Sequence, residues 1–244
     1  MTNIKLLISF FTLFFLVNVA KAESYTFLTH FLKPFAYQEK GEIKGLAVEI
    51  VKEMMSILDH PQNFTLLPFK RALLTVKNSD NCALFIVARR PEREKTVKWV
   101  GPLISSTVYF YKKKGTPVDV RNLSDVKKLQ SVGVGRGNAD HTFLTAQGFT
   151  NLHPAEDQAK SLQMLLMERI DVTPMSELVI PDMAIHARVD INSIEQTAVE
   201  LYDSVLFLVF SKDTPDEVVI QWQRALNKVK SSGKYQEIYD RYIH

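Results

Sequence analysis

VARRPEREKTVKWVGPL, Val87–Leu103, follows directly on an apolar run and decides how the chain is read. Taken with the residues before it, CALFIVA (Cys82–Ala88) carries no charge and reads as a strand buried on both faces. Arg89, Arg90 and Arg93 begin where that strand should end. Open α/β sheets bind ligands outside the carboxyl ends of their strands, and a guanidinium there holds a carboxylate or phosphate through two parallel hydrogen bonds. For any single arginine the alternative is a solvated turn, with Arg93 paired to Glu92 or Glu94. Three arginines at one strand end favour a site. Neighbouring strand residues face opposite sides, so Arg89 can point away from it.

Working outward, YTFLTHF (Tyr25–Phe31) is aromatic and β-branched and reads as a strand. After QEKGEIKG, the apolar residues Ala47, Ile50, Val51, Met54, Met55 and Leu58 recur at helical spacing. Strand, helix and strand together predict a parallel sheet. A second unit starts at SVGVGRG, a short strand running into a turn, with Asn138 placed to cap a helix that Gly148 ends. Ala159, Leu162, Leu165, Leu166 and Arg169 mark another helix face, leading into the strand IDVTPM. Two similar α/β halves are expected. Toward the C-terminus, Thr214-Pro215-Asp216-Glu217 has capping-box spacing, followed by a helix through Val218, Trp222, Ala225, Leu226 and Val229 that Gly233 stops. A last helix sets Tyr235, Ile238, Tyr239 and Tyr242 on one face.

The N-terminus has Lys5, an apolar run from Leu6 to Val17, and then Ala20-Lys21-Ala22. That is the pattern of a secretory signal peptide over residues 1–22; the run is shorter than the roughly 20 residues of a membrane anchor. Its removal takes Lys5 and Lys21 and no acid, so 30 basic residues against 27 acidic become 28 against 27. Such balance gives no electrostatic reason to expect nucleic acid or a membrane surface as partner. Cys82 is the one cysteine, so an exported chain must rest on its core rather than on an intrachain disulfide.

Familiar chemistry is not indicated. Gly133 and Gly135 fit the start of a dinucleotide fingerprint, but its third glycine position is Asn138. What remains is a helix start whose free N–H groups can hold an anion. The histidines form no H-x-x-x-H pair, and there is no G-x-S-x-G elbow. No metal, cofactor or catalytic nucleophile is expected.

In order along the chain, KPFAYQEKGEIKGLAVEIVKEM, LPFKRAL, ARRPEREKTVKWVGPL, SVGVGRGNA, ERIDV and TPDEVVIQWQRALNKVKSSGKYQEIYDRY resemble the family 3 extracellular solute-binding proteins. The resemblance covers essentially all of the chain after residue 22. It implies a two-lobed α/β fold of the type II periplasmic binding protein kind, each lobe a mostly parallel sheet flanked by helices. Lobe one would comprise residues 23–106 and 205–244, lobe two residues 107–204, with hinge strands near Ile104–Tyr109 and Leu201–Val205. A small-molecule ligand would sit in the cleft of a periplasmic monomer and be presented to an ABC permease or a membrane sensor.

The family grips a ligand carboxylate with the arginine of a T-x-x-R element; Arg93 matches it, with Arg90 at the threonine position. Phe31, Leu32, Phe35, Phe69 and Arg71 fall where the family lines its cleft, and Asn138 and Ala139 where it places the second lobe's helix start. The chain also departs from the pattern. Ala88 stands where a small hydroxyl residue is common, and the family's ammonium-binding aspartate position falls on Ser176, with Glu177 beside it. Without a carboxylate there, a buried ammonium would lack a partner, at a cost of several kcal/mol. Unless Glu177 substitutes, the expected ligand is an anionic or mixed polar-aromatic molecule other than an ordinary α-amino acid. The alternative is elimination chemistry of the kind a few relatives, periplasmic cyclohexadienyl dehydratases, perform, with Glu177 as acid–base.

Overall fold

The computed structural model describes residues 25–243; the signal-peptide pattern lies outside the described residues. Its main sheet is built on Thr26–Thr29 (β1), Phe64–Leu66 (β4), Cys82–Ala88 (β5), Val97–Lys113 (β6), Thr173–Ser176 (β9) and Ile194–Ser211 (β10), in the order β4-β1-β5-β10-β6-β9. The first unit is parallel as its pattern predicts, β1 pairing parallel with both β4 and β5. The sheet as a whole is mixed, because β10 inserts antiparallel between β5 and β6. A small hairpin, Tyr37–Glu39 (β2) with Glu42–Lys44 (β3), stands apart, and Val132–Gly135 (β7) pairs parallel with Leu152–Ala155 (β8).

The long strands β6 and β10 tie the two lobes together. The Leu206–Phe210 part of β10 lies against β5, its Ile194–Gln196 end pairs with the far end of β6, and Val108–Tyr111 of β6 carries β9. Along the pair, Ser204 faces Ser106 and Asp203 faces Thr107.

Helix Leu46–Ile57 (α1) buries Ala47, Ile50, Val51, Met54 and Met55, the face its spacing predicts. It packs with Asp216–Ser231 (α7), whose Trp222, Ala225, Leu226 and Val229 are buried, and with Lys234–Tyr242 (α8). These helices cover one face of the sheet, around Phe27, Phe85 and Phe210. Helix Phe69–Asn78 (α2) covers the other, setting Ala72 and Val76 on Leu28, Leu84 and Val209. A separate core holds Val108, Phe110, Val132, Val134 and Leu144. The second lobe adds Leu123–Lys128 (α3), Ala139–Ala146 (α4), Gln158–Leu166 (α5) and Ile180–Ala187 (α6). In α5, Ala159, Leu162 and Leu165 are buried, while Arg169 lies past the helix end and is exposed.

Thr214 does not form the expected capping box. Pro215 has a non-helical ψ of 142° and is itself the cap, so α7 starts one residue later and the buried Thr214 hydroxyl has no hydrogen-bond partner.

Gly45 fixes how the loop after β1 meets α1. The amides of Leu46 and Ala47 donate to the carbonyls of Pro34 and Phe35 at 3.0 Å each, satisfying two free N–H groups of the helix start. Gly45 has φ 132°, and a Cβ there would lie 2.4 Å from the Phe35 carbonyl oxygen, a backbone atom that cannot rotate aside. Gly45→Ala is expected to cost about 1–3 kcal/mol from backbone strain alone, read as a lowered urea midpoint with an unchanged slope.

Candidate functional site

β5 brings the arginines to the cleft by an irregularity. Ala83 and Phe85 face the α1/α7 side of the sheet, and Cys82 and Leu84 face the α2 side. Strict alternation would send Val87 back to the α1/α7 side. Instead Ile86 takes φ 60°, rare for a β-branched residue, and the register against β10 shifts between Phe207 and Leu208. The extra residue reverses the faces: Val87 joins the α2 side, while Ile86 and Ala88 join the other. Arg90, two residues beyond Ala88 and extended at φ −147°, therefore shares the cavity with Ala88. Arg89 points away, paired with Glu94 through two hydrogen bonds of 2.8 and 2.9 Å and lying over Trp99 and Phe207.

The cavity measures about 520 Å³, within the usual range for small-molecule sites. Its apolar wall comprises Leu32, Phe35, Phe69, Ile86, Val108 and Leu206. Arg93 Nη1 donates to the Ala88 carbonyl at 2.8 Å, and its guanidinium lies 5.3 Å from the Phe69 ring centre. That contact fixes the group and leaves its Nε–Nη2 edge without a hydrogen-bond partner among the described residues. Burial, and then the charge of Arg90, push the Arg93 pKa down, which marks a cation held at a cost in the absence of an anion. The Arg90 side chain makes no hydrogen bond or ion pair among the described residues and lines the same space.

From the other lobe come Asn138, Ala139, Asp140, Ser176 and Tyr202. Asn138 caps α4 as its position predicts, Oδ1 accepting from His141 N at 2.8 Å. The amides of Ala139 and Asp140 have no acceptor among the described residues and remain available to a ligand. Asn138→Ala is expected to lower stability by about 1 kcal/mol, checked as a shift in the denaturant midpoint. Ser176 Oγ is hydrogen-bonded to Ser106 Oγ at 3.0 Å.

Three of the expected residues sit elsewhere. Phe31, 56% exposed, lines an outer hollow of about 760 Å³ that shares Leu32, Lys70, Gly137, Asn138 and Gln158 with the inner cavity. Arg71 is exposed and lines neither space, because α2 starts at Phe69 and residues two apart on a helix face different sides; Lys70 lines both. Glu177 belongs to a different crevice, of about 410 Å³, with Tyr37, Asp182 and Tyr242. Its Oε1 accepts from Thr107 N at 3.0 Å. The elimination reading thus loses the acid it named from this cavity.

The carboxylate that does line the cavity, Asp140, escaped sequence reasoning, as did Tyr202, Gln158 and His30. His30 is partly buried with Nε2 3.2 Å from the Ile86 carbonyl, and burial lowers its pKa. The available signal for Asp140 was its place in the first turn of a helix already assigned to the cleft.

A two-lobed sheet joined by a pair of long strands, with ligand-sized space between the lobes, defines the type II periplasmic binding protein fold. Residues 28–244 match the family model of the bacterial extracellular solute-binding proteins, family 3, and the chain belongs to that family. It is 23% identical over 230 residues to the Bacillus subtilis (strain 168) probable amino-acid-binding protein YxeM, covering 86% of this chain and 80% of that one. Among solved structures, a histidine kinase sensor domain with similarity to periplasmic binding proteins superposes with a TM-score of 0.75 at 14% identity, covering 89% of this chain and 95% of that one. The amino acid ABC transporter substrate-binding protein AbpA from Streptococcus pneumoniae, bound to L-arginine, gives 0.70 at 18% identity, with 91% and 95% covered. Among the described residues no helix is long and apolar enough to cross a membrane.

Proposed function

We propose that this solute-binding protein reversibly holds a small carboxylate-bearing ligand in the cleft and presents the closed form to an ABC permease or a membrane sensor. The observation that carries the reading is the open Nε–Nη2 edge of Arg93, fixed over Phe69 beside an unpaired Arg90 in a largely apolar cavity. A carboxylate there completes two charged hydrogen bonds and neutralises a half-buried cation. Phe69, Phe35 and Leu32 give the rest of the ligand an apolar wall. The relatives named above support both destinations, one being a transporter's substrate-binding protein and one a kinase sensor domain.

In this reading residues 23–106 and 205–244 move as one lobe against residues 107–204, and ligand binding shifts the population toward the closed form. On the same reading the N-terminal pattern supports export to the periplasm with cleavage after Ala22, and the protein works there as a monomer. Native mass spectrometry of the purified protein tests the reading: a retained small carboxylate, released on denaturation, is expected. No saturable response to carboxylates, amino acids, peptides or phosphorylated compounds in a later thermal-shift screen would remove it.

A further inference from the structure

Charge on the wall of the inner cavity is unbalanced. Lys70, Arg90 and Arg93 line it against one carboxylate, Asp140, so two positive charges have no counterpart there. None of these three cations forms an ion pair among the described residues, whereas Arg89, which points away, is matched to Glu94. Arg90 stands between the two walls. After burial, its charge is the second cause of the lowered Arg93 pKa. Behind burial and the hydrogen bonds, it also acts on Asp140 and Tyr202 across the gap.

Asp140 does not offset this excess toward a ligand. It is 4% exposed, and its oxygens accept from Asn138 Nδ2 at 3.1 Å, from Gln158 Nε2 at 3.0 Å and from the Tyr202 hydroxyl. The carboxylate thereby ties α4 to α5 and β10 and keeps little surface for anything else. Burial raises its pKa against those three hydrogen bonds, and any protonation of it widens the cationic excess. Ser176, where the family's ammonium-binding carboxylate would fall, is uncharged, with its hydroxyl engaged by Ser106 and Leu178 N. A zwitterionic ligand brings no net charge and leaves the excess in place, whereas two anionic groups without an ammonium cancel it. We infer that the ligand is a dicarboxylate lacking an ammonium group, one carboxylate taking the free edge of Arg93 and the other Arg90, with the hydrocarbon linker against Phe69 and Leu32. This rests on the binding reading above and names its ligand class. Arg90 is then the specificity determinant, because a guanidinium left without its anion in a largely apolar cavity penalises every ligand that lacks the second charge.

The test uses isothermal titration of the purified protein with pairs that differ by one carboxylate: succinate and butanoate, glutarate and pentanoate, adipate and hexanoate. Glutarate and L-glutamate form a further pair that differs by an ammonium. At least one diacid is expected to bind ten-fold or more tighter than its monoacid, and glutarate at least as tightly as L-glutamate. Arg90→Gln should cost that diacid ten-fold or more and remove the difference within its pair, whereas Arg93→Ala should weaken both members. Arg90→Lys, which keeps the charge without the planar fork, should retain part of the preference. Urea midpoints near the parent's show that the variants are folded. Equal affinity within every diacid pair overturns the inference while leaving the binding reading standing. So does L-glutamate binding tighter than glutarate, or an Arg90→Gln loss that falls equally on diacid and monoacid. A protein that binds none of these compounds overturns the inference; the wider thermal-shift screen then decides the binding reading separately.

Discussion

Arg93→Ala is expected to weaken ligand binding by roughly 30-fold to 4,000-fold, the range that corresponds to the 2–5 kcal/mol lost when one partner of a buried, hydrogen-bonded charge pair is truncated. The side chain is half-buried and anchored through one nitrogen to the Ala88 carbonyl, so its free edge is presented in a fixed direction. Little rotamer entropy remains to be lost when the ligand docks. Arg93→Lys should recover only a small part of the loss, since an ammonium offers no planar fork and would not lie over Phe69 in the same way. The fold should survive, with stability changing by about 1 kcal/mol for the single hydrogen bond removed. Arg71→Ala serves as the control: exposed and outside the cavity, it should shift affinity less than two-fold. Titration of the ligand recovered by mass spectrometry checks all three. An Arg93→Ala protein that binds as tightly as the parent would move the anion site off this arginine.

The features legible in the sequence are those set by periodicity and composition. The buried faces of α1 and α7 follow from apolar spacing, except that the expected Leu58 falls at the C-cap of α1 and Val218 of α7 is only partly buried. The arginines' place at the end of β5 follows from one uncharged run ending in a basic one. The resemblance supplied what periodicity does not, that two α/β halves face each other across a cleft. The antiparallel insertion of β10 between β5 and β6 left no local trace, because strand order depends on pairing between segments more than 80 residues apart.

The misplaced residues share a different cause, a phase that sequence leaves undetermined. Arg71 and Phe69 stand in one motif, but which of them faces the cleft depends on the residue at which α2 begins. Glu177 and Ser176 are neighbours at a strand end, so only one can face the cavity. Arg90 reaches the cavity through the reversal at Ile86, a residue type that gives no hint of positive φ. Strain of this kind, worth about 1–3 kcal/mol, persists only where packing on both faces holds it, here the two cores that β5 separates. Asp140 was hidden by chemistry rather than by phase: an acid in the first turn of a helix is ordinary, and only the burial of its carboxylate among Tyr202, Gln158 and Asn138 distinguishes it.

Phe210→Ala is expected to cost about 3–5 kcal/mol of folding stability, the largest single loss predicted for this chain. The ring is fully buried on β10, with the rings of Tyr25, Phe27 and Trp222 at 5.5, 6.0 and 5.6 Å between centres. These neighbours come from the loop before β1, from β1 and from α7, so the void cannot be closed by moving one element. β10 is itself held on both sides, Phe210 pairing with Ala83 of β5 and Lys98 of β6, which prevents the backbone from sinking into the space. Against a typical total of about 5–15 kcal/mol, such a loss leaves a marginal protein. Urea unfolding should show a much lower midpoint with the slope preserved. Phe210→Leu, which fills part of the void, should recover more than half of the difference. Since β10 also carries Tyr202, Ser204 and Leu206 to the cavity, the folded fraction of Phe210→Ala should bind ligand with near-parent affinity, separating stability from recognition. A loss under about 1 kcal/mol would mean that the aromatic cluster repacks freely, against the density expected of a native core.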